Sequence, residues 1–139
     1  MPNVPESFSI AVHTLALLAR KPGVRHAGKD IAEACRFSTH HLSKVLAQLV
    51  RAGLLESKRG PSGGVCFTGK PEKITLAMVR DAVEGRPAAK KGCLLPHEVC
   101  PGKRCALGCL LSKMEAEFQR VFNTTTLADI LRGVKIKRK

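Results

Sequence analysis

The chain is predicted to be a mainly α protein with a small β-hairpin: a winged helix-turn-helix followed by a long C-terminal dimerisation helix. Three observations carry this expectation. Residues 28–52 hold two short helical patterns joined by a tight turn, the second with a basic outer row. Two strand-like runs around a Gly/Pro turn follow directly. From Cys105 onward, apolar residues recur at alternating steps of four and three.

Composition bounds the possibilities. With 139 residues, 44% of them apolar, the chain can build one domain, or one domain with an extended arm. Trp and Tyr are absent and there are five Phe, so Leu, Val, Ala and Ile must form the core. A formal net charge of +13 points to a polyanionic partner: DNA, RNA or an anionic membrane. No apolar run approaches the roughly 20 residues of a membrane span, so a membrane is not expected as partner. The N-terminus has no basic segment leading into an apolar one, so a cytoplasmic location is expected. There thiols stay reduced, and clustered cysteines hold metal more often than they pair.

Four regions follow from the patterning: a winged helix-turn-helix over 1–86, a cysteine-rich loop over 87–105, a dimerisation helix with a closing helix over 106–131, and a basic flexible tail over 132–139. Residues 7–20 place Phe8, Ala11, Val12, Leu15, Leu18 and Ala19 at helical spacing, and Lys21-Pro22-Gly23 ends the run. Residues 28–35 predict a short helix with Ile31, Ala32 and Cys35 inward; Cys35 and Cys66 are read as small core residues. Ser38 is placed to cap the next helix, 39–52, by accepting a backbone N–H. That helix buries Leu42, Val45, Leu46, Leu49 and Val50 and turns out His40, Lys44, Ala47 and Arg51, flanked by His41 and Gln48.

Leu54–Arg59 and Val65–Thr68, around Gly60-Pro61-Ser62-Gly63-Gly64, predict the wing. Its glycines would let backbone approach a phosphate, with Lys58 and Arg59 at its base. Gly64 to Lys70 has the four-residue gap of a P-loop, but Pro71 stands where a Mg²⁺-binding Ser or Thr is required. Nucleotide binding is rejected on that ground, and no catalytic constellation stands out elsewhere, so an enzyme is not expected. Ile74 to Val83 predicts another helix, closed by Gly85 and Pro87. Beyond Cys105, Leu107, Leu111, Met114, Phe118 and Val121 form a seam, with Leu110 and Phe122 alongside, that requires a partner helix. A second copy of the chain suits it better than intramolecular packing. Thr126 to Leu131 reads as a capped closing turn of helix.

Four of the six cysteines, Cys93, Cys100, Cys105 and Cys109, fall within seventeen residues, with six, four and three residues between them. Thiolates clustered on a Pro- and Gly-broken loop can converge on one soft metal or one iron–sulfur cluster.

In this order of parts the chain resembles the bacterial winged-helix iron–sulfur transcriptional regulators, the family that includes IscR and NsrR. Arg59-Gly-x-x-Gly-Gly64, Val83-Glu-Gly85 and Cys105-Ala-Leu107 carry the resemblance most strongly, and it covers about residues 7 to 131. It implies a homodimer on a double-stranded DNA operator, most often as a repressor. Each subunit would hold a 2Fe–2S or 4Fe–4S cluster that answers to nitric oxide, redox state or iron–sulfur supply. By position, Cys93, Cys100 and Cys105 match the family's three cysteines. Thr39, His40, His41 and Lys44, with Arg59, Ser62, Gly63 and Gly64 on the wing, match its DNA contacts. Lys44, Arg51, Lys58 and the tail are expected on phosphates.

Two departures stand out. The gaps between the three cysteines are six and four where about five and five are usual, and the family's usual acidic ligand position falls on Ser9. The fourth ligand is therefore open among Cys109, His13, and His97 or a small molecule. The competing reading is a zinc-stabilised protein that binds DNA or RNA constitutively. A small electron carrier is a third, but it would not need a wing or the +13 charge.

Overall fold

Helix α1, Glu6–Leu18, runs through the core and is packed against four others. Ile10, Ala11, Leu15 and Leu18 are at most 2% exposed. Full burial of a Leu or Ile is worth about 1.5–3 kcal/mol, so this one face anchors the domain. The computed structural model describes residues 4–86 and 105–133. Along them lie α1, α2 (Gly28–Cys35), α3 (Thr39–Arg51), β1 (Glu56–Lys58), β2 (Gly64–Cys66), α4 (Leu76–Glu84), α5 (Ala106–Thr124) and α6 (Leu127–Gly133), with a 3₁₀ turn at Pro71–Lys73 before α4. The architecture is mainly helical with a two-stranded antiparallel hairpin. Among the described residues, no helix is long and apolar enough to cross a membrane.

Helices α2 and α3 are joined by a left-handed residue. Arg36 has φ 56° and ψ 39°, and Phe37 N–H closes back on the Ala32 carbonyl at 2.9 Å. An L-residue with a side chain adopts that backbone at a cost of about 1 kcal/mol. Ser38 occupies the N-cap position of α3, yet its side chain makes no cap hydrogen bond, contrary to the sequence expectation. The turn itself sets where α3 begins, with Leu42 N–H donating to the Ser38 carbonyl at 2.9 Å. Cys35 is only half-buried at the end of α2, whereas Cys66 is buried as expected. Desolvation pushes the Cys35 thiol above its ordinary pKa.

Past α3, Gly53 turns left-handed (φ 74°) and Leu54 N–H returns to the Leu49 carbonyl at 2.9 Å. Leu54 and Leu55 are therefore buried anchors of the helix end, and the first strand begins only at Glu56. The hairpin pairs Glu56 with Cys66, Ser57 with Val65 and Lys58 with Gly64. A third segment, invisible in the sequence pattern, joins it: His26 and Val65 exchange two backbone hydrogen bonds of 2.9 Å.

Helix α4 starts at Leu76, two residues later than its apolar pattern suggests. Thr75 caps it, accepting from Met78 N–H at 3.3 Å, and Ile74 stays extended and buried. That extended segment meets the end of α5: Leu76 N–H donates to Thr125 O at 3.0 Å and Leu127 N–H to Ile74 O at 2.7 Å. Thr126 and Asp129 then form a reciprocal cap on α6, which extends to Gly133, beyond the expected closing turn. Hydrogen bonds from Thr126 hold the Asp129 carboxyl below its usual pKa.

Candidate nucleic-acid interface and cysteine site

Helix α3 presents two faces. Leu42, Val45, Leu46 and Leu49 are buried, with Val50 half-buried, while Thr39, His40, Lys44 and Arg51 are exposed on the outer side. His41 flanks that row, with its Nδ1 3.6 Å from Glu6 at the start of α1. On the same flank, Gln48 donates to the Val83 carbonyl at 3.0 Å and Ser7 bonds Glu84. These contacts border a cleft of about 320 Å³ between α1, α3 and the end of α4, into which Lys44 also faces.

On the wing, Lys58, Arg59 and Ser62 are exposed. Lys44, Arg51, Lys58 and Arg59 make no ion pair among the described residues, so their charge is available to an anion. Gly63 and Gly64 are required by the protein's own backbone. A Cβ on Gly63 would lie 2.3 Å from the Lys58 carbonyl oxygen, and one on Gly64, at φ 126°, 2.5 Å from that of His26. Arg25, which sequence reading passed over, extends its guanidinium to 3.5 Å from Gly64 O. Only the pairing of His26 with β2 puts it beside the wing.

Cys93, Cys100 and His97 lie outside the described residues. Cys105 occupies the N-cap of α5, half-buried, its Sγ accepting from Gly108 N–H at 3.4 Å. Cys109 is exposed one turn further, its N–H on the Cys105 carbonyl at 2.9 Å. Both thiols are free and on adjacent turns, a pair of soft donors that suits iron or zinc. His13 is exposed on α1, with Nδ1 2.8 Å from Ser9 O and its ring edge-on to Phe37. Among the described residues no three His, Cys, Asp or Glu side chains come together, so His13, Cys105 and Cys109 do not form one set within a single chain.

Among the described residues, only the far end of α5 is packed against the rest of the fold. Phe122 is buried, stacked on Phe118 at 4.1 Å and Phe8 at 5.2 Å, with Arg80 over its ring. Arg80 also donates to Gln119 at 3.0 Å. Nearer the cysteines the seam is bare: Leu107, Leu110 and Met114 are 52%, 54% and 58% exposed. Leu111, Met114, Phe118 and Val121 line an apolar groove of about 720 Å³.

A helix-turn-helix with an unpaired basic front and an adjoining cationic wing defines a winged-helix DNA-binding transcriptional regulator. Over residues 4–133 the chain matches the family described as "Rrf2: Iron-dependent Transcriptional regulator", and it belongs to that family. The HTH-type transcriptional regulator NsrR of Geobacillus kaustophilus is 36% identical over 106 residues, 74% of this chain and 71% of NsrR. A Rhodopseudomonas palustris protein named BadM is 42% identical over 74 residues, 53% of this chain but only 47% of BadM. Among solved structures, CymR, the global cysteine regulator of B. subtilis, superposes with a TM-score of 0.78 at 26% identity, covering 97% of this chain and 100% of CymR. T. potens IscR, at 23% identity, shares the fold with a TM-score of 0.75 over 99% of this chain and 93% of its own. These relatives are regulators of transcription and not enzymes, as the sequence led us to expect.

Proposed function

We propose that this chain is a homodimeric regulator, a repressor, whose affinity for a double-stranded DNA operator is set by an iron–sulfur cluster on Cys93, Cys100 and Cys105. The observation that carries this reading is the position of Cys105. It ends the cysteine-rich loop and caps the start of α5, the helix whose apolar stripe is left bare. A group held by Cys105 is thereby tied to the dimer joint. The other end of the run starts just past α4, where Val83 holds Gln48 of α3. Ligation across Cys93, Cys100 and Cys105 would thus link the dimer helix to the recognition helix through α4. When bound, the cluster would supply a cross-link between thiolates that oxidants, nitric oxide or iron shortage can remove.

The division into a DNA-binding unit, a cysteine loop, a dimerisation helix and a tail follows from the same reading. His40 and Thr39 would meet base edges, with His41 at the margin. Lys44, Arg51 and Lys58 would contact phosphates, and Arg59 would enter the minor groove beside Ser62, Gly63 and Gly64. Cys109 is the favoured fourth ligand, being on the same helix as Cys105; His13 would have to come from the partner subunit.

The test is anaerobic purification with a visible spectrum and iron, sulfide and zinc analysis. A brown or red protein with matching iron and sulfide is expected, losing colour in Cys93→Ala, and iron per subunit would separate 2Fe–2S from 4Fe–4S. A colourless protein with one zinc per subunit would sink the switch and leave a constitutive DNA binder. Unchanged operator affinity in Cys93→Ala would sink the coupling alone.

A further inference from the structure

Arg36 is the one described residue other than glycine that adopts a positive φ. Its conformation is the kind that glycine takes without strain, so the backbone gains nothing from the side chain there. The fold does not use the charge either: among the described residues the Arg36 side chain, which is exposed, makes no hydrogen bond or ion pair. Attraction to the C-terminal end of α2 is the obvious structural role. However, α3 begins three residues later, and the positive end of its dipole acts on the guanidinium with opposite sign.

The corner itself is held firmly. Phe37 N–H bonds the Ala32 carbonyl, and the Phe37 ring packs edge-on to His13 with centroids 6.3 Å apart. Arg36 therefore projects from a fixed point beside Ser38, whose hydroxyl is not spent on capping α3, and beside the exposed Thr39 and His40. In a helix-turn-helix this is the end of the recognition helix that faces DNA.

We propose that Arg36 is a DNA-phosphate contact, positioned by the left-handed turn at the corner where α3 enters the groove. This rests on the DNA-reading assignment of the α3 face and adds to it a residue outside the helix and the wing. A guanidinium suits the role because it stays charged and offers several donors to phosphate oxygens.

The experiment measures binding of the full chain to a mixed-sequence DNA duplex across a salt series, by fluorescence anisotropy, for the parent, Arg36→Gly and Arg36→Lys, with melting temperatures alongside. Each lost phosphate contact lowers the slope of log K against log salt by about 0.9, and affinity at 0.1 M salt by on the order of tenfold. Arg36→Gly should show both losses per subunit bound while melting no lower than the parent. Arg36→Lys should keep most of the slope. An unchanged slope in Arg36→Gly overturns the proposal, even if affinity falls, because the effect would then come through the position of α3. If Arg59→Ala and Lys44→Ala lose slope while Arg36→Gly does not, the α3 and wing reading stands and Arg36 alone is wrong. A parent that binds no duplex at low salt overturns both.

Discussion

Thr14 lies in the buried face of α1 with no exposed surface, and its hydroxyl has no hydrogen-bond partner among the described residues. An unsatisfied buried hydroxyl costs about 1–3 kcal/mol, whereas a methyl of similar size costs nothing in desolvation. Thr14→Val is therefore expected to stabilise the fold by about 1 kcal/mol, read as a raised denaturation midpoint with an unchanged slope. A destabilised Thr14→Val would mean that the hydroxyl has a partner, such as a trapped water, that the packing does not reveal. Cys35 shows the opposite use of burial. Desolvation holds its thiol protonated above the ordinary range, so it is a poor nucleophile even though it is half-exposed.

At the scale of elements, the wing is a three-part structure. β1 and β2 form the hairpin, and His26 fastens β2 to the loop between α1 and α2. Gly64 is the pivot, because its φ of 126° and the 2.5 Å approach to His26 O both exclude a Cβ. We expect Gly64→Ala to destabilise the protein by at least about 2 kcal/mol, through strain and displacement of the His26 segment. Amide hydrogen exchange should speed up at His26 and Val65 before it does in α1. If both amides stay as protected as in the parent, the wing is not anchored in this way. Gln48 plays a comparable part on the other flank of α3, where its bond to Val83 is a described link between recognition helix and α4.

For the whole molecule, the decisive feature is the bare stripe on α5. Leu107, Leu110, Met114 and Val121 leave a contiguous apolar stripe exposed on one helix, the kind of surface that marks an interaction site, while Phe118 and Phe122 pack the helix end against the core. Met114→Glu would place a carboxylate in the centre of that stripe, where an interface could bury it only at a cost of several kcal/mol. Size-exclusion chromatography with light scattering should find the parent dimeric and Met114→Glu monomeric, with the helical circular dichroism of the domain retained. A dimer that survives Met114→Glu would place the joint elsewhere.

Periodicity made the helices legible, since the inward rows of α1 and α3 and the seam of α5 each repeat at 3.6 or 3.5 residues whatever surrounds them. The wing was legible from its glycines and proline, although the reason for Gly63 and Gly64 was not. Sequence suggested a phosphate, and the fold supplies carbonyl oxygens of Lys58 and His26. The limits lay where contacts join residues far apart in the chain. The late start of α4 comes from pairing between Ile74 and Leu127. The placement of Arg25 beside the wing comes from the His26 bridge. Local pattern, charge and cysteine spacing determined the class of protein, because propensity and periodicity act over a few residues. Which side chains stay exposed on α3 and the wing, and which apolar surface of α5 stays uncovered, was decided only when helices distant in sequence packed and covered one face of each.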